Sequence, residues 1–150
     1  MKRTFIVLFA AITAFSAFGD DDTILANQKV AMADIRTLAT ALEAYATDNN
    51  HYPDVTLDAL AQLLSPTYIM HVPMTDRWGT PFLYVGDGED RYRFVSAGAD
   101  GVFEESSRAL GPLQPEKSAT DDPNADIVFE DGGFIQYPAA LAPKPRTRPE

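Results

Sequence analysis

The sequence has no cysteine, only two histidines and a single tryptophan. Without cysteine there are no disulfides, thiolate metal sites, thiol nucleophile or lipidated Cys anchor. Basic residues are also scarce: 12 Lys+Arg stand against 22 Asp+Glu, for a formal charge of −10 and a pI near 4.5. That balance argues against nucleic acid or an anionic membrane surface as the main partner. Gly-x-Ser-x-Gly, P-loop, Gly-x-Gly-x-x-Gly and His-Glu-x-x-His motifs are all missing. His51 and His71 have no carboxylate at a helical metal-ligand spacing and read as surface or turn residues. Ser65 and Ser96 lack a local base. No feature suggests the positioned partners that acid–base or nucleophilic catalysis needs, so the chain reads as non-enzymatic.

A membrane-spanning run is missing as well. The longest apolar stretch, Phe5–Phe18, covers 14 residues. As a helix it reaches about 21 Å, short of the roughly 30 Å hydrocarbon core. Lys2 and Arg3 precede it, and Ala17-Phe18-Gly19 and three aspartates follow. This is the pattern of a secretory signal peptide cut after Gly19. The expected organisation is a signal peptide (1–19), one domain (20–137) and a flexible Pro-rich tail (138–150). The expected location is periplasmic or secreted, with no stable membrane span once the signal is removed. The alternative is an inner-membrane anchor in which Phe5–Phe18 is retained.

What remains has the length and apolar content of one domain, 150 residues with 45% hydrophobic, which suits a single core. Residues 24–48 read as a helix, with Ile35, Leu38, Leu42 and Tyr45 on one face and Val30 and Ala31 continuing it. Asp22 or Thr23 would cap its start, and Asp48-Asn49-Asn50 would end it. A short helix over 56–64 follows, capped by Thr56, with Leu57, Leu60, Leu63 and Leu64 on its apolar face. Residues 81–85 and 92–96 are rich in aromatic and β-branched residues and flank the turn material of 86–91. They predict a β-hairpin. Further strands are expected at 125–129 and 134–137, with a long, poorly patterned connection over 101–124. The fold class is α+β, with the long helix laid across a small antiparallel sheet. Trp78 and the aromatic residues of the strands are expected in the core.

Acid density is the strongest chemical signal. Nine Asp and Glu lie between residues 100 and 131, opposed only by Arg108 and Lys117. Such a stretch must be solvated or neutralised. A hard cation taking six to eight oxygens, as calcium does, would neutralise it. The Asp-x-Asp-x-Asp-Gly register of an EF-hand is absent.

Several segments resemble, in the correct order, the major (G-type) pseudopilin of type II secretion systems. They are Val30–Tyr45, Asp48–Pro53, Val72-Pro73, Asp76–Phe82, Tyr92–Gly101 and Asn124–Ile127. The resemblance spans about residues 28–129. It implies a pilin-like fold, a repeating structural subunit of a short periplasmic filament, other pseudopilins or secretion components as partners, and bound Ca2+. It also implies ligands: Asp100 and Asp126 by side chain, Asn124 or Asp122 for a further oxygen, and Ala97 by its carbonyl. Two features depart from the family pattern. A longer Ser106–Pro123 segment replaces the glycine-rich calcium loop, and the apolar stretch precedes Gly19 instead of following the cut. Cleavage there would leave a domain without the usual filament stem. The competing expectation is a free-standing secreted or periplasmic calcium-dependent binding module that reuses the fold.

Overall fold

The computed structural model describes residues 20–111 and 117–142. Helix α1 (Asp20–Asn49) runs for 30 residues, about 45 Å at 1.5 Å per residue. Its buried residues begin at Gln28; Ala31, Ile35, Leu38 and Leu42 are fully enclosed, at the spacing that places them on one face. Burying each Ile or Leu of that face contributes about 1.5–3 kcal/mol. Asp22 and Thr23 lie within α1 and not at a cap, because the helix already includes Asp20. At the other end Asn50 has φ 61°, and its N–H donates to the Ala46 carbonyl at 2.7 Å. Asn can enter the left-handed conformation that closes a helix. Helix α2 (Leu57–Leu64) is capped by Thr56, whose hydroxyl accepts from the Ala59 N–H at 3.4 Å.

Five strands follow: β1 (Leu83–Gly86), β2 (Tyr92–Ser96), β3 (Ser118–Thr120), β4 (Ile127–Glu130) and β5 (Gly133–Pro138). They form one sheet in the order β1-β2-β4-β5-β3. The expected hairpin is β1–β2, and the expected strands at 125–129 and 134–137 are β4 and β5. The sheet is mixed, not purely antiparallel, because β3 pairs parallel to β5. β3 lies inside the connection expected to be patternless. It is mostly exposed and carries no large apolar residue, so backbone pairing alone defines it.

α1 packs on this sheet through an aromatic layer. Phe94 is fully buried, with the Tyr84 ring 5.0 Å and the Tyr92 ring 5.8 Å away. Glu43 ties the layers together, accepting from the Tyr92 hydroxyl at 2.8 Å and the Tyr52 hydroxyl at 2.9 Å. Burial, and then the Glu43 carboxylate, push the Tyr52 phenol up to about 12. Trp78 packs against the core as expected.

The ordered fold also runs beyond the expected domain end. Pro138 is buried and pairs with Thr120, Ala139–Leu141 form a 3-10 turn, and Leu141 packs on the core. The expected signal peptide (1–19), and residues 143–150 of the expected tail, lie outside the described residues.

Candidate functional site

Asp76 organises the turn before the hairpin. Its Oδ1 accepts from the Trp78 and Thr80 amides at 3.0 and 2.9 Å, and its Oδ2 accepts from the Ser96 hydroxyl at 2.8 Å. The segment Asp76–Phe82 is thus bonded to the end of β2, where the acidic region begins.

After β2 the chain turns through Gly98, at φ +70°, against the residues that enter β4. A Cβ on Gly98 would stand 2.8 Å from the carbonyl oxygens of Asn124 and Ala125. The Ala99 N–H donates to the Pro123 carbonyl at 2.9 Å. This contact brings 97–101 onto 122–126 and sets Asp126 beneath them, with no solvent exposure. Asp126 and Glu104 clasp one another. The Glu104 N–H donates to Asp126 Oδ2 at 2.9 Å, and the Asp126 N–H donates to Glu104 Oε1 at 3.4 Å. Gln136 Nε2 donates to the same Glu104 oxygen at 3.1 Å.

Asp126 Oδ1 is buried and accepts no hydrogen bond, an unusual state for a buried polar atom. Burial pushes its carboxyl above the ordinary carboxylate value, and the charges of Glu104 and Asp100 push the same way. The Ser107 hydroxyl and the Glu104 amide oppose them. As pH rises from the ordinary carboxylate value toward this raised one, the unfolded chain loses its proton first. Asp126 therefore withdraws stability across that window unless something takes the place of its proton.

The other expected ligands are placed differently. Asp100 is exposed and accepts from the Val102 amide at 2.9 Å. Asp122 and Asn124 are exposed, and the Asp122 carboxylate accepts from the Asn124 amide at 2.9 Å. Ala97 is fully buried at the end of β2. Among the described residues, no three His, Asp or Glu side chains converge closely enough to hold an ion. The structure joins Asp126 with Glu104, brings Asp100 into electrostatic reach, and leaves Asp122 and Asn124 at the rim. Glu104 is not among the ligands that the sequence points to. Its part depends on a contact 22 residues away, and no local pattern announces it.

A second acidic and basic cluster fixes the neighbouring loop. Glu130 receives the Arg93 guanidinium at Oε2 and the Arg91 guanidinium at Oε1, the latter at 2.5 Å; the Glu130 and Arg93 side chains are almost wholly buried. Arg93 also donates to the Ser106 carbonyl at 2.8 Å and to that of Ala109, and Arg91 donates to the Gly111 carbonyl at 3.0 Å. The two arginines thus staple residues 106–111 to the sheet and hold Ser107 and Glu104 beside Asp126.

Comparison with known proteins bears on the segment that carries α1, α2, the Asp76 turn and the β1–β2 hairpin. The family model for type II secretion system (T2SS), protein G, matches residues 21–109. The type II secretion system core protein G of Escherichia coli (strain K12) is 34% identical over 89 residues, 51% of this chain and 61% of that protein. The core protein G of Aeromonas hydrophila is 35% identical over 91 residues, 51% of this chain and 62% of that protein. The chain thus matches about three-fifths of the length of these relatives. A crystal structure of the major pseudopilin from the type 2 secretion system of enterohaemorrhagic Escherichia coli aligns at 26% identity with a TM-score of 0.45, covering 69% of this chain and 94% of that one. With more than half of its residues matched by the family model, the chain belongs to the type II secretion system protein G family.

Proposed function

We propose that this protein is a non-enzymatic structural or accessory component of a type II protein secretion apparatus in the cell envelope, working through contacts with other pseudopilins or secretion components. The family match over 21–109 carries this reading. The described fold contributes a long helix packed on a five-stranded sheet. No helix among the described residues is long and apolar enough to cross a membrane. Deleting the gene in the native host is expected to stop export of the system's substrates, and a plasmid copy is expected to restore it. Unchanged export, with no apparatus component copurifying from the envelope, would favour the free-standing binding module instead.

Calcium belongs to the same proposal. The unpartnered, buried Asp126 Oδ1 supports it, since a hard cation would satisfy that oxygen and relieve the acid density around it. Glu104, bonded to Asp126, and Asp100, whose charge acts on it, are the further side-chain donors this proposal assigns. For a weak extracellular-type site, 10 mM calcium amounts to roughly 10–100 times Kd, which stabilises by about 1.4–2.7 kcal/mol. The melting temperature should then rise by about 5–10 °C over a chelator control. The rise should shrink as pH falls and Asp126 takes up its proton, and it should vanish in Asp126→Asn. Superimposable melts in calcium and chelator at neutral pH would eliminate the site.

A further inference from the structure

We propose that Met70, His71 and Met74 form a binding site for a soft monovalent cation, Cu(I), in the groove beside the end of α2. The groove, about 550 Å³, lies between α2 and the segment that follows it. All three residues line it, together with Gln62 and Ser65, and no carboxylate, lysine or arginine does.

The donor set selects the ion. In a chain without cysteine, thioether sulfur is the softest donor there is. Two of the four methionines and one of the two histidines stand at this groove. Thioethers select Cu(I), and imidazole suits copper as well. Calcium and magnesium take oxygen ligands. Zinc is held by thiolates, carboxylates or several imidazoles, and one imidazole falls short of that. The other histidine is engaged elsewhere: His51 Nδ1 lies 3.0 Å from the Asn49 carbonyl, and its ring meets Tyr45 edge-on. Binding is ligand exchange alone. The copper enters and stays as Cu(I), the thioethers release no proton, and the imidazole binds as the neutral base.

Exposure separates these methionines from core residues. Met32 in α1 is 2% exposed, whereas Met70 is 69% exposed. His71 is exposed and Met74 partly buried, so an ion can enter from solvent. The backbone is held on both sides of the three residues. The Ile69 N–H donates to the Leu64 carbonyl at 3.3 Å. The Phe82 N–H donates to the Met74 carbonyl at 3.0 Å, and Thr75 pairs with Pro81. The chain bends at Met70 and His71, and Pro73 fixes one torsion before Met74. On that anchored segment, the rotatable bonds of each methionine let its sulfur swing to a common point beside the imidazole. The site is independent of the secretion role and would hold for the isolated chain.

NMR of the full chain with carbon-13 methionine methyls tests it, with Cu(I) added anaerobically in buffer containing acetonitrile. The Met70 and Met74 methyls should shift together and saturate at one equivalent, while the buried Met32 methyl stays in place. Zn(II) should leave all of them unmoved. Met70→Leu, Met74→Leu and His71→Gln should each weaken binding by at least about tenfold, the lower end of what even an outer-shell partner costs a metal site. Leucine conserves the volume of methionine, so the metal-free melting temperature should not change. Methyls that ignore Cu(I) would overturn the proposal. So would binding that survives Met70→Leu/Met74→Leu, which would place the copper elsewhere, or Zn(II) bound as tightly as Cu(I), which would deny the thioethers a part.

Discussion

Replacing Glu130 with alanine should lower the unfolding free energy by about 3–5 kcal/mol, the typical cost of stripping one partner from a buried ion pair. For a domain of this size the melting temperature should fall by about 10–20 °C. Glu130 is enclosed, and it is the carboxylate on which the equally enclosed Arg93 and the half-buried Arg91 converge. Without it two guanidiniums share a dry region. Asp131, far more exposed, can answer only Arg91. Thermal and denaturant unfolding measure the loss directly. Arg93→Met combined with Glu130→Leu should recover part of it, since an apolar pair leaves no stranded charge. Recovery should stay incomplete, because the Ser106 and Ala109 carbonyls lose their donor. A loss below about 1 kcal/mol for Glu130→Ala would mean that the arginines swing into water, as at an exposed pair, and that the staple on 106–111 is not structural.

The same cluster shows why part of this molecule is not legible in the sequence. The inner face of α1 can be read from its 3, 4, 3 spacing because only a helix puts Ile35, Leu38, Leu42 and Tyr45 on one side. The β1–β2 hairpin is legible because aromatic residues flank glycine-rich turn material. Arg93 and Glu130 look like surface charges in a sequence. They are buried because β2 is covered on both faces, by α1 and by the 106–111 loop, so all five of its residues are enclosed. The usual rule that alternate strand residues face water fails there. β3 was invisible for the opposite reason: Ser118-Ala119-Thr120 has no apolar signal, and only its pairing with β5 makes it a strand. In the acidic region, composition gave the density of charge but not the burial. Asp126 is enclosed and bonded to Glu104, whereas Asp121 and Asp122 stand exposed, and nothing in their local sequence separates them.

That turn carries the second large effect. Gly98→Ala is expected to destabilise the fold by about 2–5 kcal/mol. A side chain at a left-handed φ costs about 1–2 kcal/mol, and forcing atoms into a packed contact costs about 1–3 kcal/mol more. Gly98 has φ +70°, and the added Cβ would meet backbone oxygens of Asn124 and Ala125, which cannot rotate aside as a flexible side chain could. Gly101 offers an internal contrast. It has the same φ of +70°, but its added Cβ would meet only the Thr80 hydroxyl, at 2.9 Å. Gly101→Ala should therefore cost less, roughly the conformational part alone. Equal losses at the two glycines would place the whole effect in φ and none in the close approach. If the close approach is what seals Asp126 from water, Gly98→Ala should also return the Asp126 carboxyl toward its ordinary value, by admitting solvent to Oδ1. The titration of Asp126 followed by carbon-13 NMR reports that change separately from stability. A destabilised variant with an unmoved Asp126 titration would show that Glu104 and Ser107, held by the arginine staple, suffice to keep that oxygen dry.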